Sequence, residues 1–463
     1  RQRQMCIRDR ADTFAAALSA VRTVGAEVTH ELSIVNAVAA NLSSAQLSTL
    51  KTIPGIRVGN NAGTTVAGAP QPDSFHASVI DANLVHDQNV IGRGVTVATI
   101  DTGAWEGQFL TKGPERGWRI KTHYNAISDV VDQYGSSDDN GHGTHVASVI
   151  GSSAKGKKNR QYSGIAPGVK FVVVKAFDVD GGGTYADVIR GVQWVVDNKD
   201  QHDIRVLNMS LSAPPKSHYW EDPLNQAVMA AWDAGIVVVA SAGNTGPDPM
   251  SIGVPGNTPY VITTGAMTDN YTPEDGSDDL LATFSAAGPT YEGFVKPELV
   301  APGGHINGIM NNDRHALANQ HPQFYDSSNT FTMSGTSQSA AVISGVVALM
   351  LEAKPWLTPE DVKCQLMSSA NPAVTANGEL AYSVFQQGAG MVNALQAVQS
   401  TEQGCANIGL NVQADLDGTA HFGGLAQQDQ NGDYYISGVD GYLWANGELG
   451  ADGYLWANGY LWA

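Results

Sequence analysis

Five runs rich in valine and isoleucine, at residues 94–100, 170–177, 204–209, 236–240 and 261–264, constrain the fold of this chain more than any other feature. Several lack the polar alternation of a strand with one wet face, so they must be covered on both sides, which is the habit of parallel-sheet strands under helices. Segments of helical character stand between them, for example at 186–196 and 224–234. The alternation predicts an α/β domain over 75–398, built on a parallel sheet covered by helices. In such sheets chemistry gathers at the carboxyl ends of the strands.

The regions on either side have a different texture. Met5-Cys6-Ile7-Arg8-Asp9-Arg10 reads like a sequencing adapter translated in frame, and residues 1–10 are set aside on that ground. Residues 11–62 read as a small α+β unit. Phe14, Leu18 and Val21 recur at helical spacing, and Val28, His30, Leu32 and Ile34 alternate as in a strand. Ser43 and Gln46 then form a capping-box pattern ahead of Leu47 and Leu50, Pro54-Gly55 stops that helix, and Ile56-Arg57-Val58 is a short strand. A turn-rich linker spans 63–74. Residues 399–440 read as a polar, Gly-rich β extension, and 441–463 as Gly-Tyr-Leu-Trp hexapeptides whose Tyr442, Tyr454 and Tyr460 keep multiples of six. The hexapeptides suggest short stacked β segments with Tyr and Trp on one face and Leu on the other.

Charge narrows the partners. The 26 Lys and Arg against 45 Asp and Glu give a net charge of -19, which repels a phosphate backbone and argues against nucleic acid. The longest apolar stretches are broken by Gly or Ser before about 18 residues, so no transmembrane segment is expected. No signal-peptide pattern is visible in the sequence. With residues 1–10 set aside, Cys364 and Cys405 remain, an even number that suits one disulfide in an oxidising compartment or else two free thiols.

Three segments carry chemistry. The buried run Val97-Ala98-Thr99-Ile100 delivers Asp101-Thr102-Gly103 to a strand end. Asp139-Asn140-Gly141-His142-Gly143-Thr144-His145 opens an apolar helix, and Met333-Ser334-Gly335-Thr336-Ser337-Gln338-Ser339 brings a serine to the start of another. An alcohol is a weak nucleophile. It needs a base to take its proton and a carboxylate to hold that base's tautomer, and these segments supply one of each. The helix start adds N–H groups and a positive dipole end for an oxyanion.

In this order of Asp-Thr-Gly, His-Gly-Thr-His and Gly-Thr-Ser the chain resembles the subtilases, the subtilisin-like serine proteases, whose triad stands in the chain order Asp, His, Ser. The likeness covers 75–398, and the order of elements in 11–62 resembles the family's inhibitory propeptide with its first strand cut away. It implies that Asp101 orients the base, that His142 is general base and then acid, and that Ser337 is the nucleophile. His145 is expected to be a packed helix residue, and Asp138 or Asp139 a solvated loop charge. Asn244, just after the run Val237-Val238-Val239-Ala240-Ser241-Ala242-Gly243, would donate its side-chain amide to the oxyanion beside the Ser337 N–H.

The resemblance also implies a groove that binds peptide as an extended strand between Gly181-Gly182-Gly183 and Ser210-Leu211-Ser212. The primary pocket would lie between Ser210–Ser212 and Ser241, Ala242 and Gly243, with Gly253 at its base, and Tyr185, Val188 and Leu211 would form an apolar pocket further along. None of these residues is acidic, so cleavage after large apolar or aromatic residues is expected rather than after basic pairs. Gln338 stands where most subtilases carry Met, and Ala341 where many carry Pro. No cofactor is expected for the chemistry. Structural calcium is common in the family, but Asp178-Val-Asp180-Gly and Asp415-Leu-Asp417-Gly have Ile189 and Ala426 at the twelfth loop position and are not EF-hands.

The reading is therefore a secreted or cell-surface endopeptidase made as a zymogen, a monomer whose partners are protein or peptide substrates and its own 11–62 unit as intramolecular inhibitor. Two other readings use the same residues: a surface protein whose protease domain is a scaffold for the Tyr-Leu-Trp array, and a non-proteolytic acyl hydrolase.

Overall fold

The computed structural model describes residues 3–9, 14–32, 37–54, 56–60, 75–115, 117–132, 138–156, 159–311, 314–326 and 329–436. The linker at 63–74 and the hexapeptides at 441–463 lie outside the described residues. The chain divides into two compact units, Arg1–Gly68 and Ala69–Ala463.

The first unit runs β1 (Arg3–Asp9), α1 (Phe14–Thr23), β2 (Glu27–Leu32), β3 (Ala37–Leu42), α2 (Ser44–Lys51) and β4 (Ile56–Asn60), with the antiparallel sheet order β2-β3-β1-β4. This is the βαββαβ order of ferredoxin-like domains. Residues 3–9, set aside in the sequence reading, pair with β3 on one side and β4 on the other. The ladder explains it. Without a strand between β3 and β4 two rows of main-chain groups would lack partners, and main-chain pairing is nearly indifferent to side-chain identity. The strand β3 was also unforeseen, because Ala-Val-Ala-Ala-Asn-Leu carries little β character, yet Val38, Ala40 and Leu42 alternate into the core beside Ala17, Val21 and Leu50. The capping box forms as the pattern predicts, with Ser43 N–H donating to Gln46 Oε1 (2.9 Å) and Gln46 N–H to Ser43 Oγ (3.3 Å).

In the second unit the strands are β5 (Thr96–Asp101), β6 (Ile120–Asn125), β7 (Val130–Asp132), β8 (Lys170–Lys175), β9 (Ile204–Met209), β10 (Val237–Ser241), β11 (Ile262–Thr268), β12 (Leu280–Leu281) and β13 (Leu299–Pro302). They form one sheet in the order β12-β11-β10-β9-β5-β8-β6-β7, with β13 against β11. Strands β6, β8, β5, β9, β10 and β11 are mutually parallel, as their double-sided burial requires, while β7 and β12 add antiparallel edges. The sheet is therefore mixed rather than wholly parallel. The helix Thr336–Ala353 is long and apolar enough to cross a membrane, but it packs on β9, β10, β11 and β13 and every residue from Thr336 to Leu351 is buried.

Beside the sheet, β14 (Ile306–Ile309), β15 (Tyr325–Asp326) and β16 (Thr330–Met333) make a small antiparallel ribbon. The stretch after 398 is β-structured only in part. Its first half carries the helix Val412–Leu416, and β structure among the described residues is the hairpin β17 (Ala426–Gln428) and β18 (Tyr434–Ile436). This half is tied into the core. Asp415 is buried and accepts hydrogen bonds from Tyr219 Oη (2.8 Å) and Tyr260 Oη (2.6 Å), and Cys405 is joined to Cys364 in a disulfide with a Cα–Cα distance of 5.1 Å.

Candidate active site

Strand β5 ends on Asp101, which is buried with 2 % of its surface exposed. One of its oxygens, Oδ1, accepts from the Thr102 N–H (2.8 Å) and from His142 Nδ1 (2.7 Å). An ionised carboxylate only accepts, so the proton of that pair sits on Nδ1 and Nε2 is left with a lone pair, the tautomer a general base needs.

His142 is the first residue of the helix His142–Gly151. Two features bring this helix end onto the strand end. Gly143 lies so close that a Cβ there would stand 2.1 Å from Gly103 O and 3.1 Å from Asp101 Oδ1, so only glycine permits the approach. Gly141, which precedes the helix, has a left-handed φ of 107° and would meet the His315 ring with any side chain.

Asp138 holds the turn together, and here the sequence reading needs correction. It is no solvated charge. With 3 % of its surface exposed, it accepts from Thr102 Oγ1 (2.9 Å), Asn140 N–H (3.1 Å), Gly141 N–H (2.8 Å), Thr144 N–H (2.9 Å) and Thr144 Oγ1. A carboxylate at a helix N-terminus satisfies donors that have no partner within the helix and meets the positive dipole end, which is why burial is tolerated. Asp139 is the exposed one, 3.6 Å from Lys175 Nζ. The signal for Asp138 was present as an acidic residue just ahead of a helix start, but two adjacent aspartates gave no means of choosing between them.

Charge follows the geometry. Burial pushes the His142 imidazole down, but the Asp101 carboxylate, by charge and by hydrogen bond, and Asp138 behind it outweigh that and hold it above the ordinary histidine value. His145, one turn on, is fully buried and pushed down to about 3, chiefly by desolvation. Its Nε2 faces Phe331 O (3.0 Å) and Ile306 O (3.2 Å), so it carries the proton, and Nδ1 accepts from Gln338 Nε2 (3.4 Å). That makes it a packed residue, and it ties the His142 helix to the residue after Ser337.

Ser337 lies in the first turn of Thr336–Ala353, with 9 % of its surface exposed. It is paired reciprocally with Ser210: Ser337 Oγ donates to Ser210 O (3.2 Å) and Ser210 Oγ donates to Ser337 O (2.9 Å). Asn244 follows β10 and is exposed. Its Oδ1 accepts from Thr336 N–H (2.9 Å) and Thr336 Oγ1 (3.0 Å), which anchors the amide on the start of the Ser337 helix.

A cavity of about 510 Å³ adjoins Ser337 and Asn244 and is lined by Ser210, Leu211, Ser212, Ser241, Gly243 and Gly253 among others. At Gly253 a Cβ would stand 1.9 Å from Ser212 Oγ, so a side chain there would fill the cavity's base. No acidic side chain is among the lining residues. Six residues of the expected groove, Gly181, Gly182, Gly183, Tyr185, Val188 and Ala242, are not in this lining. Ala242 is turned inward against Ile252 and Ala286, since successive residues after a strand face opposite ways. Gly181, Gly182 and Gly183 form an exposed turn held by Asp178 Oδ1, which accepts from Gly182 N–H (2.9 Å). Tyr185 caps a neighbouring surface, its hydroxyl 3.3 Å from Asp222 Oδ2 and pushed up to about 12 by burial and that carboxylate. Sequence reasoning missed Pro214, Pro215, Met250 and Ser251, which complete the wall. Among the described residues no group of three or more His, Cys, Asp or Glu side chains converges to hold a metal ion.

A sequence profile described as the subtilase family matches residues 92–390. The chain is 38 % identical over 331 residues to the serine protease AprX of Bacillus subtilis, covering 70 % of each. It is 33 % identical over 287 residues to an extracellular serine proteinase of a Thermus species (62 % of this chain, 57 % of that one). It is 31 % identical over 324 residues to subtilisin DY of Bacillus licheniformis (69 % of this chain, 97 % of that one).

Proposed function

The chain belongs to the subtilase family and is a serine endopeptidase, and we propose that it is secreted as a zymogen and cleaves after large apolar or aromatic residues through an acyl-enzyme on Ser337. The single observation that carries the mechanism is the 2.7 Å bond from His142 Nδ1 to a buried carboxylate at the end of β5, which leaves Nε2 free to take a proton. The Ser337 hydroxyl turns from the Ser210 carbonyl toward that nitrogen as peptide enters, because an extended substrate competes for the same carbonyl with its own N–H. Oγ attacks the scissile carbonyl, His142 takes the proton, and the oxyanion is met by Asn244 Nδ2 and the Ser337 N–H. His142 then gives the proton to the leaving amine. Water repeats the sequence on the acyl-enzyme and restores Ser337.

The preference rests on the 510 Å³ cavity, whose lining has room for an aromatic side chain and no carboxylate to neutralise Lys or Arg. Secretion is supported by the disulfide, which persists in oxidising compartments, and by the similarity to a proteinase named extracellular. The zymogen reading rests on the βαββαβ unit ahead of the protease domain, of which residues 11–62 hold all but the first strand, with the linker 63–74 as the junction. A panel of chromogenic peptides differing only in the residue before the scissile bond tests the preference: kcat/KM should be highest for Phe and Leu and lowest for Lys and Asp. Expression of Ser337→Ala in a protease-free system tests self-processing, and the variant should remain unprocessed. Maturation of that variant, or equal cleavage after Lys, would contradict the proposal.

A further inference from the structure

Residues after 398 lie beyond the family match at 92–390, yet part of this stretch reaches the primary pocket. The hairpin β17–β18 is laced to the body of the unit by main-chain bonds, Gly424 N–H to Glu292 O (2.8 Å) and Ala426 N–H to Gly293 O (3.0 Å), and Ile436 is buried. It brings Tyr434 edge-on to the Phe385 ring, centroids 6.4 Å apart, with the hydroxyl 2.7 Å from Met250 Sδ.

Met250 lines the cavity beside Ser251 and Pro214. The residue is 43 % exposed and its backbone has a left-handed φ of 60°, a conformation that L-residues seldom adopt. A methionine has three rotatable bonds and, left alone on a rim, would sample many shapes. Here a hydroxyl from a remote hairpin holds its sulfur. We propose that Tyr434 is a positioning residue that fixes Met250 as the outer wall of the primary pocket, so that the hairpin beyond the protease core tunes the preference for large apolar side chains. The proposal rests on the pocket assignment made above. A wall ordered before substrate arrives gives a large side chain its contacts without the entropic cost of ordering, whereas a small side chain does not reach the wall.

The test uses the full chain and two substrates, with Phe or Ala before the scissile bond. Tyr434→Phe removes the hydroxyl and keeps the ring on Phe385. It should lower the Phe-to-Ala ratio of kcat/KM about fivefold, the size of one modest hydrogen bond, through KM with kcat unchanged. Met250→Leu should give the same drop, and the double variant no further one. An unchanged ratio, or equal loss on both substrates, overturns the proposal. A second readout is independent of catalysis. Hydrogen peroxide transfers one oxygen to the Met250 sulfur, giving sulfoxide and water, and the engaged hydroxyl slows this, so Tyr434→Phe should oxidise at Met250 several times faster by peptide mass mapping. Equal oxidation rates overturn the contact itself. If the parent enzyme cleaves neither peptide, the proposed function fails instead, and the oxidation rates still decide whether Tyr434 holds Met250.

Discussion

Replacing Asp138 with asparagine should damage both the stability of the protease unit and the general base, although the residue touches no substrate. Three of the five donors to its carboxylate are main-chain N–H groups, those of Asn140, Gly141 and Thr144, which cannot turn away. The amide nitrogen of the variant must stand where one oxygen stood, facing either Asn140 and Gly141 or Thr144. At least one buried donor is then left facing another donor, at about 1–3 kcal/mol, and the remaining bonds lose their charge assistance, so about 3 kcal/mol in all is expected. For a unit of this size that corresponds to a fall in Tm of roughly 5 °C. The effect has a pH signature. Burial raises the Asp138 carboxyl, but the nearby His315 charge and the hydrogen bonds from Thr144 and Gly141 outweigh it and hold it below the usual carboxylate range. A folded value below the unfolded one contributes stability above about pH 4 that is lost as pH falls through the folded value. The deficit should therefore be full at neutral pH and shrink toward pH 3. Removal of the negative charge also lets the His142 value drop, so the acid limb of the kcat/KM profile should move to lower pH, while loosening of the turn lowers kcat roughly tenfold. Calorimetry at neutral and acid pH and a pH–rate profile on one peptide decide it. A variant that melts with the parent at pH 7 and keeps the parent's acid limb refutes the reasoning.

Three further outcomes are expected. Asp101→Asn should lower kcat by roughly 10³–10⁴ through the wrong His142 tautomer. Because the parent's His142 value is raised, its contribution to stability is present below about pH 6.5 and lost as pH rises through the folded value, so the variant's stability should lose that alkaline decline in thermal melts. Replacing Cys364 and Cys405 together with serine should cost up to about 4 kcal/mol of stability for a loop of 41 residues, read by denaturant unfolding, with no change in kcat at a temperature where the variant is folded. Peroxide should leave kcat of the parent intact but abolish that of Gln338→Met, since Gln338 has no sulfur and Met209 is fully buried, while the exposed Met250 on the pocket wall is the site whose oxidation raises KM.

The sheet and the site were legible in the sequence for different reasons. Strands covered on both faces announce themselves as unbroken Val and Ile runs: β8 and β9 lie within the segments read from that pattern, and β5, β10 and β11 overlap theirs but run past the ends, β11 by four residues. Asp101, His142 and Ser337 were legible because each sits at a strand end or helix start marked by adjacent small residues. What escaped was what depends on distant partners. Asp138 and Asp139 are the same residue type in adjacent positions, and only the docking of the helix onto Thr102 and Thr144 buries one and exposes the other. The burial of Asp415 depends on Tyr219 and Tyr260, 196 and 155 residues away, and no local pattern marks it. Met250 carries no motif, and its place on the pocket wall follows from the path of the loop after β10. The antiparallel edge β12, two residues long, offers too short a pattern to read.

The central claim is that Ser337, activated by His142 and Asp101, forms the covalent intermediate. A fluorophosphonate that phosphonylates activated serines tests it directly. One adduct should form, on the peptide containing Ser337, at a rate that matches the loss of peptidase activity, and His142→Ala should suppress both. An adduct on another residue that accounts for the inactivation, or hydrolysis that persists in Ser337→Ala, would contradict the account.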